Sequence, residues 1–245
     1  MQALSALRHC ATMPTTKHYT LVLGNPHYSS WSLRPWLLMS YLGMDFDVRW
    51  FNFGPAFSTL AFHEMAPAGH VPVLHTRGQI IWDSLAIVEY LAEQHPGVWP
   101  IDPIARAWAR SASAEMHANF SSLRTLCPFA VALRAQHHRQ DMRLHGELER
   151  LQTLWQEGLN RFGGPFLGGE RFSAVDAFYA PVVFRLQTYG LKLNPACQRY
   201  ADSLLALPAM QHWHQMACED SWRDPDHEAE VLHVADIHLD LRQPA

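Results

Sequence analysis

Lysine is nearly missing from this chain of 245 residues: Lys17 and Lys192 are the only two. Arginine supplies the other fixed positive charges, so an anionic ligand has to be held by Arg, His or backbone N–H groups. No basic run occurs, and the formal net charge is −4. A nucleic-acid binder needs clustered Lys or Arg to neutralise phosphates, and that class is excluded. Cysteine is sparse as well. Cys10, Cys127, Cys197 and Cys218 are widely spaced, with no Cys-x-x-Cys. That excludes a zinc ribbon and a dithiol redox site, and it suits free thiols in a reducing, cytoplasmic compartment. No apolar run reaches the length of a membrane span, so no membrane partner is expected. Residues 1–17 lack the apolar core of a signal peptide, because Arg8, His9 and several threonines interrupt it. They also lack acids, as transit peptides do, and are read as an extension ahead of the first strand.

What is present describes a soluble globular protein, with 48% hydrophobic and 17% charged residues. Residues 19–23 are short, apolar and β-prone, and Gly24-Asn-Pro ends them. Residues 30–42 read as a helix with serine at its start and Gly43 at its end. Strands are predicted over 46–51, 71–75 and 79–82, the last two joined by a turn at 76–78. A short helix or irregular segment is expected over 57–65 and a helix over 84–95, stopped by Pro96-Gly97. The order β-α-β-α-β-β-α gives a mixed α/β sheet over residues 18–96, since the last two strands form a hairpin. Past Pro103 the character changes. Helical patterns cover about 104–126, 144–161, 173–189 and 201–217 with no strand-like run, which makes 104–220 an all-helical domain. Residues 221–245 form an acidic tail with scattered histidines and no assigned structure.

Two segments carry chemistry. In His70-Val-Pro-Val-Leu a proline enters a strand without a donor for the ladder. If its peptide bond is cis, the Val71 backbone faces outward and can pair with a peptide-like ligand. In Trp82-Asp-Ser-Leu-Ala-Ile-Val-Glu, Asp83-Ser84 stands where a strand meets a helix N-terminus. Free N–H groups and the positive dipole end there favour a carboxylate. The Ser84 hydroxyl can hold that carboxylate and Asp83 an ammonium, a pair suited to the γ-glutamyl end of glutathione.

These segments, with Ala66-Pro-Ala-Gly and Ser29-Ser-Trp-Ser-Leu-Arg34, resemble the glutathione transferase superfamily over about residues 19–220. The resemblance implies a thioredoxin-like N-terminal domain that binds glutathione as co-substrate, an all-helical C-terminal domain, and a homodimer. The glutathione contacts carried over are His70, Val71, Pro72, Asp83 and Ser84, with His70 facing the glycine carboxylate and making binding depend on pH. The Tyr28-Ser29-Ser30-Trp31-Ser32 loop is similar to the Ser-Ser-Cys-Ser-x-Arg motif of zeta-class members. Matched from Arg34 backwards, Ser29 falls on the family's catalytic serine. Ser30 is read as the helix cap or, with the roles exchanged, as the thiol donor, and Tyr28 is a third hydroxyl. Trp31 stands where the motif has Cys, which weighs against zeta-type isomerisation and against the cysteine-type reductases.

Ser113, Met116, His117, Phe120 and Arg124 share one face of the expected 104–126 helix. Met116 and Phe120 are read as an apolar wall for the electrophile, and His117 and Arg124 as polar contacts; interdomain or dimer packing explains the same face. Phe172-Ser-Ala-Val-Asp176 has capping-box spacing and a structural role. The sixteen histidines show neither His-Glu-x-x-His nor ligand-spaced carboxylates around His137-His138 or His212-x-His214, so no metal is expected. The expected function is a serine-type glutathione transferase acting on an electrophilic, mostly apolar small molecule. The alternative is a glutathione-fold binding or regulatory module without turnover.

Overall fold

The computed structural model describes residues 19–244, and the extension expected over 1–17 lies outside the described residues. The chain begins with β1 (Tyr19–Gly24), α1 (Ser30–Tyr41) and β2 (Phe46–Phe51). A single 3-10 turn at Pro55–Ser58 leads into α2 (Leu60–Met65), β3 (Val73–Thr76), β4 (Gln79–Ile81) and α3 (Ser84–Ala92). The strands lie in the order β2-β1-β3-β4, with β1 and β2 parallel and the other neighbours antiparallel. This is the expected β-α-β-α-β-β-α order of a thioredoxin-like domain. Alternation along β1 sends Leu21 and Leu23 into the main core and Val22 into a smaller cluster with Phe62, Ala66 and Val73. The sheet is therefore buried on both faces. β3 starts after Pro72, which follows a cis Val71–Pro72 peptide.

The second half is mostly helical. Its helices are α4 (Pro103–Ala118), α5 (Ser121–Leu126), α6 (Met142–Phe162), α7 (Ala174–Thr188), α8 (Pro195–Leu205), α9 (Pro208–Glu219) and α10 (Pro225–Val234). α7 is apolar on nearly every side and lies at the centre, against α1, α4 and α8. The Ser173–Asp176 capping box starts it. The Asp176 carboxylate also accepts from Leu167 N–H at 2.9 Å and from Tyr200 O–H at 2.9 Å. One core runs through both halves, with Trp36 of α1 and Trp213 of α9 meeting at 5.0 Å between ring centroids.

Three features depart from the sequence reading. The continuous helix expected over 104–126 is two helices: Asn119 is extended and Phe120, its ring buried, sits at φ 61°. The helix expected over 201–217 is also two, because Pro208 opens α9 at a first-turn position and cannot continue α8. The unassigned tail is structured. After α10 it forms β6 (Ala235–Asp240), which pairs antiparallel with β5 (Leu133–His137) in a ribbon beside the helices. His137 thus lies at the end of a strand. Among the described residues no helix is long and apolar enough to cross a membrane.

Candidate active site at the junction of the two halves

A cavity of about 570 Å³ opens where the β1–α1 loop and the entry to β3 face the helical half. Ser29, Ser30, His70, Val71, Pro72 and Asp83 all line it, although they come from three separate segments. Of the four residues expected on the electrophile side, only Arg124 lines it. Met116 and Phe120 are buried in the core. The break at Asn119–Phe120 turns α5 out of line with α4, so the helical face that grouped these residues does not exist as one surface.

The hydroxyls of the β1–α1 loop have distinct roles. Ser29, not Ser30, caps α1, and its oxygen accepts from Ser32 N–H at 3.4 Å. The Ser29 proton goes to Ser32 Oγ at 2.7 Å, and Ser32 Oγ also accepts from Gly24 N–H at 3.0 Å. Ser30 is the first residue of α1, and its oxygen accepts from Arg185 Nη2 at 3.3 Å. Among the described residues no acceptor is found for the Ser30 proton. Tyr28 is engaged elsewhere. It donates to Glu228 and accepts from Arg242 Nη1 at 2.9 Å and Asp224 N–H at 3.3 Å. Burial, and then the bond to Glu228, push its phenol well above the usual range. The tail therefore occupies this third hydroxyl.

At the other end, Asp83 Oδ1 caps α3 by accepting from Leu85 N–H at 2.9 Å. Its second oxygen lies 3.2 Å from His117 Nε2. Burial lowers the His117 pKa, and Arg34 and Arg124 push the same way against Asp83. A neutral His117 leaves the Asp83 charge available to a cation. The Ser84 hydroxyl departs from expectation: it is fully buried and takes Arg34 Nη1 at 3.4 Å instead of facing the cavity.

Several lining residues were not among the expected site residues. Trp31 lies under the guanidinium groups of Arg34, at 4.0 Å from the ring centroid, and of Arg124, at 4.8 Å. Both distances suit cation–π attraction. Phe53 and Phe57 stack at 4.8 Å and, with Phe129, give the cavity an apolar side. Arg185 reaches in from α7, and His227 and Glu230 from α10. Arg185 was hidden because its contact with Ser30 joins residues 155 apart in the chain, and His227 and Glu230 because the tail shows no pattern.

A thioredoxin-like sheet domain, a helical domain and a cleft between them with serines at a helix N-terminus define a class of protein, and comparison with known proteins agrees. The family model for the glutathione S-transferase N-terminal domain matches residues 28–94, and that for the C-terminal domain matches residues 134–215. The chain belongs to the glutathione transferase superfamily. It is 27% identical over 189 residues to a probable maleylacetoacetate isomerase of Caenorhabditis elegans, covering 74% of this chain and 85% of that one. It is 28% identical over 210 residues to the maleylacetoacetate isomerase of Rattus norvegicus, covering 82% and 92%. Among solved structures it is similar to the theta class glutathione S-transferase of Xanthomonas axonopodis pv. citri with glutathione bound. There the TM-score is 0.60 at 25% identity, with 80% of this chain and 97% of that chain covered.

Proposed function

We propose that the chain is a serine-type glutathione transferase that activates the glutathione thiol for attack on an electrophilic, mostly apolar small molecule. The observation that carries this reading is the single cavity that gathers Ser29, Ser30, His70, Val71, Pro72 and Asp83. In this reading the backbone of Val71 pairs with the peptide of glutathione, Asp83 takes its ammonium, and His70 takes its glycine carboxylate. The thiol then lies at the N-terminus of α1, where the helix dipole favours a thiolate. Ser30 is the thiol donor in this proposal, because Ser29 spends its proton and a lone pair on Ser32. The protein supplies orientation and charge stabilisation to a nucleophile that arrives with the co-substrate. The aromatic side of Phe53, Phe57 and Phe129 suits an apolar electrophile. The expected homodimer and the cytoplasmic setting belong to the same proposal, the latter supported by the free thiols of Cys127, Cys197 and Cys218.

The test is glutathione-dependent turnover across a panel of activated halides, enones and epoxides. Catalysed consumption of glutathione above the buffer rate supports the reading. A parent chain that binds glutathione but turns over none of them points to a binding module instead.

A further inference from the structure

α7 carries two charged residues, Asp176 and Arg185. Asp176 is spent on the capping box, whereas Arg185 has no comparable structural anion. Its side chain is buried, and its donors go to Cys127 O, to Arg124 O at 3.5 Å and to Ser30 Oγ at 3.3 Å. All three acceptors are neutral. Among the described residues no carboxylate forms an ion pair with it. Burying a cation without an anion is costly, so such an arrangement calls for a partner.

The groups that face this guanidinium come from α1, α5, α7 and α10: Arg34 of α1 is a fully buried cation that repels it, and the Phe129 ring centroid lies 5.4 Å from it. Arg124 of α5 is a second cation. Cys127, at the end of α5, is a neutral thiol that burial pushes up to about 12. Tyr189, just past α7, is likewise raised by burial and stays neutral. Glu230 of α10 is the one acid, and it is exposed to solvent. Burial brings Arg185 itself down to about 10, which leaves it charged at neutral pH. Its positive charge, held by neutral acceptors and the Phe129 ring, therefore stands on the cavity wall next to Ser30 without an ion-pair partner among the described residues.

We propose that Arg185 is a positioning residue for the bound thiolate, acting through Ser30 and supplying the facing charge. This rests on the reading that the cavity binds glutathione. A serine hydroxyl has one proton and two lone pairs. The guanidinium can only donate, so it takes a lone pair and leaves the Ser30 proton for an acceptor in the cavity. A sulfur placed there accepts that proton as a hydrogen bond and faces a fixed cation behind it. The glutathione thiol releases its own proton to solvent, and no side chain needs to take it up. The helical half thus tunes the nucleophile held by the sheet half, over a separation of 155 residues.

The experiment titrates the ultraviolet thiolate band of glutathione bound to the full chain, with binding constants from calorimetry alongside. The variants are Arg185→Met, Arg185→Lys and Ser30→Ala. With glutathione still bound, Arg185→Met is expected to raise the bound thiol's pKa by about one unit or more, the effect of losing a nearby opposite charge. Arg185→Lys recovers most of that shift, which a packing role alone does not predict. Where Arg185→Met does not fold, Ser30→Ala carries the test, since it removes no core side chain and must also raise the thiol's pKa. An unchanged titration in the Arg185 variants, or in Ser30→Ala, overturns the proposal while glutathione binding stands. A parent chain that binds no glutathione overturns the functional reading as well.

Discussion

Ser29 and Ser30 differ by one position and are bonded differently. The order of residues makes the pair conspicuous but does not say which hydroxyl faces the cavity, because that depends on where each proton and lone pair goes. Ser29 caps α1 through Ser32. Ser29→Ala is therefore expected to cost about 1 kcal/mol of stability, the usual effect of losing an N-cap, read as a lower denaturant midpoint at unchanged slope. Ser30 caps nothing, but it accepts from the buried Arg185 guanidinium, so Ser30→Ala is expected to cost about 1 kcal/mol or more through that lost acceptor rather than through the helix cap. An unchanged midpoint in Ser29→Ala would contradict the cap. The placement of Asp83 and Val71–Pro72 on the cavity was legible because it follows from a strand end and a helix start that local sequence fixes. Arg185 was not, since its contact with Ser30 exists only after α7 packs on α1. Met116 and Phe120 misled because a helical-face argument holds only while the helix continues, and a buried aromatic at φ 61° breaks it.

Among the elements, α7 depends most on one side chain. Asp176 is fully buried and satisfies Leu167 N–H, Ser173 N–H and Tyr200 O–H. Asp176→Ala leaves these donors unpaired in the core and is expected to cost roughly 3 kcal/mol or more. Burial raises the Asp176 carboxyl to about 6, against the pull of those three donors. An unfolded aspartate titrates near about 4, so the native state binds this proton more tightly than the unfolded chain. The group's contribution is fully present below about pH 4 and is lost as pH rises through about 6. Asp176→Asn cannot titrate, so its stability should fall less than the parent's across that window in urea unfolding at stepped pH. Parallel curves would contradict the assignment. Most of the helices and all four strands of the sheet were readable from periodicity and from Gly and Pro. β5 was not: it is five residues long, and its partner β6 lies about a hundred residues away in a tail without pattern.

At the scale of the whole molecule, residues 220–242 pack against the β1–α1 loop that borders the cavity. Arg242, its side chain 2% exposed, joins Glu228 of α10 at 2.5 Å and Asp240 of β6 at 2.7 Å, and it donates to Tyr28 in the β1–α1 loop. Trp213 Nε1 donates to Pro26 O at 2.9 Å, and Asn25 bonds Asp220. The loop that presents Ser29 and Ser30 is held from the C-terminal side, and His227 and Glu230 come to the cavity with it. Arg242→Ala strips both carboxylates of their buried cation and should cost about 3 kcal/mol. Faster hydrogen exchange should follow in α10 and in residues 25–29, and exchange confined to residues near 242 would show that the tail does not support the loop.

The central claim is that one cavity, built by both halves, binds glutathione. Calorimetric titration of the full chain with glutathione at neutral pH, beside Asp83→Asn, tests it most directly. The variant keeps an acceptor to cap α3 but loses the charge that faces the ammonium. The expected result is one site per chain in the parent and affinity weakened about tenfold or more in Asp83→Asn, as for a charge-assisted hydrogen bond made neutral. No heat of binding in the parent, or equal affinity in the two proteins, would contradict the claim.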